Sequence, residues 1–284
     1  MLNADLHCHS RVSDGTLEPE ALAARAKAGG VELWALTDHD EVGGQQRARE
    51  AALREGMAWL SGCEISVTFA GVTVHIVGLG FDADDAALRE GLARTRGGRE
   101  ARAREMAAGL AQVGIHGAFE GSLPYVGNPE LISRTHFARF LVERGHCSDT
   151  SEVFRRYLTE GKPGFVEHRW AKLGDALRWI SAAGGIAVIA HPARYKFTPT
   201  EEYALFSEFK AHGGRGVEVI TGSHSAAEAI KYGAMAIEFD LLASRGSDFH
   251  SPDESRTELG SLPDLPGSLT PVWTALAERV QWPA

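Results

Sequence analysis

Histidine and aspartate occur at both ends of this chain in closely spaced pairs, and few folds can house them. Asp5-Leu6-His7-Cys8-His9 comes first, Asp14-Gly15 and Thr37-Asp38-His39-Asp40 follow, and Gly246-Ser247-Asp248-Phe249-His250 lies near the far end. In an extended segment, residues two apart share a face. His7 and His9 therefore point one way and Leu6 and Cys8 the other, and Asp248 and His250 repeat the arrangement. Ionisable groups crowded on one surface repel one another or stay hydrated unless a cation organises them. The pattern predicts a multinuclear metal site at the mouth of a domain, and so a fold that brings residue 7 beside residue 250.

Other candidate ligands lie between these ends. Glu64 follows the apolar run around Trp59-Leu60, and His75 sits in Val72-Thr73-Val74-His75-Ile76-Val77. His191 ends Gly185-Ile186-Ala187-Val188-Ile189-Ala190, a run apolar enough for a strand buried on both faces. Every candidate ligand is thus expected near the C-terminal end of a strand, where βα barrels place their chemistry. Mixed imidazole and carboxylate donors are typical of Mn, Fe or Zn, and the lack of thiolates argues against a closed structural zinc.

The stretches DLHCHSRVSDGTL, LTDHD, Glu64 with His75, Ala190-His191-Pro192 and GSDFH resemble, in order, the motifs of the PHP (polymerase and histidinol phosphatase) superfamily of metal-dependent phosphoesterases. The resemblance implies an α/β fold, a distorted (β/α)7 barrel with an α-helical insertion, holding two or three divalent ions. It also implies a division of ligands. His7, His9, Glu64 and Asp248 would hold one metal; Glu64, bridging, would hold a second with His75 and His191; Asp14, His39 and His250 would hold a third. Mn2+ is the expected ion, with Fe2+ or Zn2+ as alternatives, and phosphate ester hydrolysis by a metal-activated hydroxide is the expected reaction.

A chain of 284 residues can hold one barrel plus an insertion. No stretch approaches the roughly eighteen apolar residues of a membrane span, and a first strand at residue 5 leaves no room for a signal peptide. Cys8, Cys63 and Cys147 are too scattered for a disulfide framework, which fits a reducing cytoplasm. The net charge of -9 argues against gripping long duplex nucleic acid. After Phe81-Asp82 the βα rhythm lapses. Residues 83–165 are expected to form the helical insertion over the metal mouth, with 1–82 and 166–284 as the barrel and a closing helix after Pro263.

The insertion carries chemistry of its own. Ser133 as N-cap would put Arg134, Thr135 and His136 in a first helical turn, where free N–H groups already favour an anion, and Arg134 adds a bidentate donor. Arg99 and Arg102 are three apart on one helix face and form a second candidate anion clamp. Arg89, Arg94, Arg96 and Arg104 read as a solvated face. His136 has a competing reading as a structural histidine beside Phe137 and Phe140. Of Asp38 and Asp40, one is expected to orient a ligand imidazole and the other to cap a helix; Asp5 is expected to be structural and His224 to have no role.

Two anion sites beside one metal cluster point to a substrate with two phosphates. A PHP barrel with a helical insertion after the His75 strand resembles the bacterial branch acting on nucleoside 3′,5′-bisphosphates and short 5′-phosphorylated oligonucleotides. That resemblance implies a 3′-phosphatase, for example converting 3′,5′-bisphosphoadenosine to AMP. A 5′-to-3′ exoribonuclease on short RNA is the alternative, histidinol phosphate phosphatase a third, and an inactive PHP interaction module the reading from another class. The expected catalytic set is His7, His9, Glu64, Asp248, Arg134 and His136; substrate would be bound by Arg99, Arg102, Arg134, Thr135 and His136.

Overall fold

The structure, a computed structural model, describes residues 2–283. Two sheets form, one ordered β1 (Ala4–Asp5), β2 (Leu33–Trp34), β3 (Ala58–Trp59), the other β6 (Ala171–Lys172), β4 (Gly62–Phe69), β5 (Val72–Leu79), β7 (Ile186–Ile189), β8 (Gly216–Thr221), β9 (Leu242–Gly246). Two seams join them into a ring. Cys8 pairs with Phe249, and the Leu6 N–H donates to the Arg245 carbonyl at 3.1 Å, tying the first strand to the last. At the other seam His39 pairs with Glu64, so β3 and β4 act as one stave, interrupted at Leu60 and Ser61, beside the β2 segment. The result is a distorted barrel, as the α/β reading implies.

The distortion is β5. It runs antiparallel to both neighbours, after a two-residue turn in which Ala70 (φ 48°) and Gly71 (φ 78°) are both left-handed, the geometry of a type I′ hairpin. The expectation that every ligand ends a strand is corrected here. His75 reaches the mouth from the first half of a reversed strand, and Glu64 lies in the middle of its stave. Alternation along a strand identifies its faces and carries no information about its direction.

Helices α1 (Pro19–Ala28) and α2 (Gln45–Arg54) cover one side, where a smaller core of Trp34, Trp59, Phe249 and Leu22 packs. The chain after β5 forms α3 (Ala86–Arg96), α4 (Arg99–Ala111), α5 (Ala118–Ser122), α6 (Arg134–Glu143) and α7 (Thr150–Val153). Leu88 and Leu92 of α3 belong to the main barrel core, whereas Met106, Leu110, Phe137 and Leu141 centre a separate one. The barrel's remaining helices are α8 (Leu173–Ala182), α9 (Pro199–Ala211) and α10 (Ala226–Glu238).

Among the described residues no closing helix follows Pro263. One 3-10 turn, Val272–Thr274, buries Val272 and Trp273, and Gln281 then makes a two-way backbone pair with Trp59 at 2.8 and 2.9 Å. Pro266, Gly267 and Pro271 interrupt helix formation, and the tail is drawn out to reach β3.

The last strand must approach the first closely for the two histidine pairs to meet. A β-carbon on Gly246 would collide with Cβ and backbone of His7. Gly246→Ala should therefore cost about 1–3 kcal/mol, the scale of overpacking in a filled core, read as a lower urea midpoint; an unchanged midpoint would contradict this approach.

Candidate metal centre

Nine side chains converge at the barrel mouth. Glu64 is the hub: Oε1 lies 2.9 Å from His75 Nδ1, 2.9 Å from His191 Nε2 and 3.3 Å from His7 Nε2, and Oε2 lies 2.9 Å from His39 Nδ1 and 3.3 Å from His9 Nε2. Asp248 Oδ1 is 3.2 Å from His9 Nε2. Asp14 Oδ1 is 3.4 Å from His250 and 3.8 Å from His39. Their donor atoms fall into four overlapping groups: His9, Asp14, His39, His250; His7, His9, Asp248; His7, Glu64, His191; and His39, Glu64, His75. Relative to the division drawn from the sequence, His9 also stands with Asp14, and His191 stands with His7 instead of His75.

The residues fit divalent cations. Buried donor atoms of His7, His9, Asp14, His39, Glu64, His75 and His191 make no hydrogen bond, the close imidazole–carboxylate contacts among them lacking hydrogen-bond geometry, although buried polar groups are almost always paired. Burial, with His250 and His39 nearby, pushes His9 down to about 3, and burial with Arg194 pushes His191 down to about 4. Both imidazoles are thereby kept neutral, the form that ligates. Burial alone would raise Glu64, Asp14 and Asp248; the surrounding imidazoles, and Arg194 for Asp248, instead hold them well below the usual carboxylate range. His191 (φ 27°) and Asp248 (φ 55°) both have left-handed backbone, which is costly for non-glycine residues and concentrates at functional sites.

Two positioning residues carried no assigned role in the sequence. Glu218, buried in β8, accepts from His7 Nδ1 at 2.7 Å and from the His191 N–H at 2.6 Å, so one carboxylate orients two candidate ligands. A lone acid in Val217-Glu218-Val219 was its signal. Tyr195 accepts from the His75 N–H at 2.8 Å and donates to the Ala190 carbonyl at 3.0 Å. The role foreseen for Asp38 or Asp40 falls to Glu218. Asp38 accepts from Ser10 and Ser13, shaping the loop after His9, and Asp40 accepts from Ser66 and pairs with Arg99. Asp5 accepts from Ser247 and Gly260 backbone and holds structure; the His224 ring sits 3.0 Å from the Val219 carbonyl.

A cavity of about 210 Å³ opens onto the cluster, and Arg99, Arg102, Arg134 and Thr135 line it with the ligands. Arg99 and Arg102 stack on Trp170, their Cζ atoms 4.5 and 5.4 Å from the ring. Arg102 is pushed down to about 10 by burial and by Arg134 and Arg99, three cations gathered with one carboxylate, Asp40, among them. Arg194, also in the lining and absent from the expected set, pairs with Asp248.

Ser133 caps α6 as expected, but His136 does not line the cavity. Its Nδ1 accepts from the Ser133 N–H at 3.0 Å to complete a capping box, and the ring is fully buried. Phe137 and Phe140 draw that helix face into the cap core, so His136 positions the turn that presents Arg134 and Thr135. Arg96, read as solvated, is only 14% exposed and bonds the Asp40 carbonyl at 2.7 Å and Glu41 at 3.4 Å.

Glu218→Gln should leave the fold intact and weaken metal binding roughly ten- to a hundredfold, as loss of a ligand-orienting carboxylate does. Metal titration by calorimetry, with circular dichroism as the fold control, checks this; unchanged affinity would remove Glu218 from the site.

Comparison with known proteins agrees with this geometry. The PHP domain model matches residues 5–169. A 3′,5′-nucleoside bisphosphate phosphatase of Chromobacterium violaceum is 50% identical over 284 residues, covering 100% of both chains. A 5′-3′ exoribonuclease of Haemophilus influenzae is 42% identical over 269 residues, 95% of this chain and 97% of its own. A solved structure of an amidohydrolase from C. violaceum, with bound sulfate and no metal, superposes with a TM-score of 0.96 at 50% identity, covering 99% of this chain and 98% of that one. With the nine converging side chains, these similarities make the chain a member of the PHP domain family.

Proposed function

We propose that this chain is a metal-dependent phosphatase that removes the 3′-phosphate of nucleoside 3′,5′-bisphosphates, such as 3′,5′-bisphosphoadenosine to AMP. The observation that carries the reading is a single cavity lined both by the ligand cluster and by Arg99, Arg102 and Arg134, which suits a small molecule with a phosphate at each end. The full-length relative named for this activity supports it.

In this reading His7, His9, Asp14, His39, Glu64, His75, His191, Asp248 and His250 hold two or three divalent ions, Mn2+ first among them. When bound, the ions activate water and neutralise phosphate oxygens. Arg134 and Thr135, presented by the first turn of α6, hold the reacting phosphate, and the N-terminal end of the helix favours its charge. Arg99 and Arg102 grip the distal phosphate. Trp170 fixes their guanidinium planes, so little side-chain freedom is lost on binding. Free, buried Cys8, Cys63 and Cys147 fit a reducing cytoplasm, and among the described residues no helix is long and apolar enough to cross a membrane. An inactive interaction module would have no need for nine donors brought together with unpaired atoms.

The deciding experiment offers 3′-, 5′- and 3′,5′-phosphorylated nucleosides to the manganese-loaded protein and measures phosphate release; equal turnover of all three would refute the bisphosphate reading. His191→Ala and Asp248→Asn should each abolish turnover, and near-normal rates with full metal occupancy would contradict the cluster. Arg102→Ala should lower kcat/KM for the bisphosphate by about 1–3 kcal/mol, the scale of charge-assisted hydrogen bonds, and barely affect a 3′-monophosphate. Equal losses on both would show that Arg102 does not hold the distal phosphate.

A further inference from the structure

Helix α10 starts at a capping box made by Ser225 and Glu228, and turns Tyr232, Gly233 and Ala236 inward, where they are buried. The side opposite these residues is the one that water reaches, and an amphipathic helix ordinarily places polar groups there. Helix α2 does so: its exposed residues are Gln46, Arg47, Arg49, Glu50 and Arg54. On α10 the exposed residues are Ala226, Ala227, Ile230, Ala234 and Ile237, with two polar ones, Lys231 and Glu238. Ile230 is 75% exposed and Ile237 64%. Positions 227, 230, 234 and 237 alternate steps of three and four, so they form one seam along the helix. Lys231 and Glu238 are seven apart and border that seam on the same flank. None of these residues lines the metal cavity.

We infer that this face is where two copies of the chain associate, α10 lying antiparallel against α10. The inference is independent of the proposed phosphatase activity. A twofold contact requires one surface to complement itself, and this surface does so in shape and in charge at once. With the axis level with Tyr232, Ile230 meets the partner's Ala234 and Ile237 meets the partner's Ala227. Each bulky side chain then faces a small one, and symmetry repeats the exchange. The same alignment sets the two polar flanks side by side. Helical side chains lean toward their own N-terminus, so in antiparallel helices Lys231 and the partner's Glu238 lean toward each other. Lys231 is already oriented by Glu202 at 2.6 Å. An anionic lipid surface suits the face less well, because its single base stands beside an acid and the chain carries a net charge of -9, whereas lipid-binding faces are rich in Lys and Arg. Only one helix face is covered, which puts the contact among the small interfaces that form weakly and reversibly.

Sedimentation velocity of the full-length protein tests this over a concentration series reaching about 1 mM, the weak limit of specific association. Wild type should convert reversibly from monomer to dimer as concentration rises. Ile230→Asp, which sets a carboxylate from each copy against the apolar seam, should raise the dissociation constant at least about a hundredfold, and Ile237→Asp should act alike. Glu238→Lys opposes the partner's Lys231 with a like charge and should raise it about three- to tenfold. Val113→Asp, at a half-exposed apolar position on the cap, should leave it unchanged. All four positions are exposed, and circular dichroism should show each variant folded. A wild type that stays monomeric throughout would overturn the inference and leave the face to a different partner. A dimer that survives both isoleucine substitutions would place the contact elsewhere and overturn it as well. Loss of the dimer in those variants with no effect of Glu238→Lys would overturn the antiparallel alignment.

Discussion

A buried carboxylate, Glu64, holds this structure to its chemistry. Five imidazoles from four separate parts of the chain contact it, and it is fully buried. A charge in that position is strongly destabilising unless it is compensated. Contacts from His7, His9, His39, His75 and His191 bring the strand ends together around it. The seam that closes the barrel on this side is the His39 pairing with Glu64 itself, so barrel closure and ligand assembly are one structural event.

The helical cap is tied to that centre by charge. Asp40, directly after His39, receives Arg99 at its carboxylate and Arg96 at its carbonyl, and on its other side holds Ser66 of the Glu64 stave. Arg139 reaches Glu254 in the loop after His250. The cap thus grips, on two sides, a segment that follows a histidine of the cluster, His39 or His250, leaving Arg99, Arg102 and Arg134 over the cavity. Arginine suits these places because its planar fork stacks on Trp170 and still presents donors.

The converging side chains were legible because they carry titratable groups in or beside strand-like runs where packing alone would place apolar side chains. Glu218 was as visible in principle, a lone acid in an apolar strand, but its role depends on which strands become neighbours. The direction of β5 was hidden because alternation is the same read either way. His136 was ambiguous for a related reason: a first-turn histidine can face an anion or bond back to its own cap, and the aromatic face of α6 decided which.

The sequence by itself determined the chemical groups this protein carries: nine candidate metal donors, an arginine-rich helical segment, and strands apolar enough to form a barrel around them. These are local properties of composition and spacing. Tertiary structure decided how the donors divide into groups, that one carboxylate orients two of the histidines, and that His136 serves its own helix. Each of those depends on contacts between residues far apart in the chain, such as His7 with Glu218 or Arg139 with Glu254, whose distance is set only once the barrel closes.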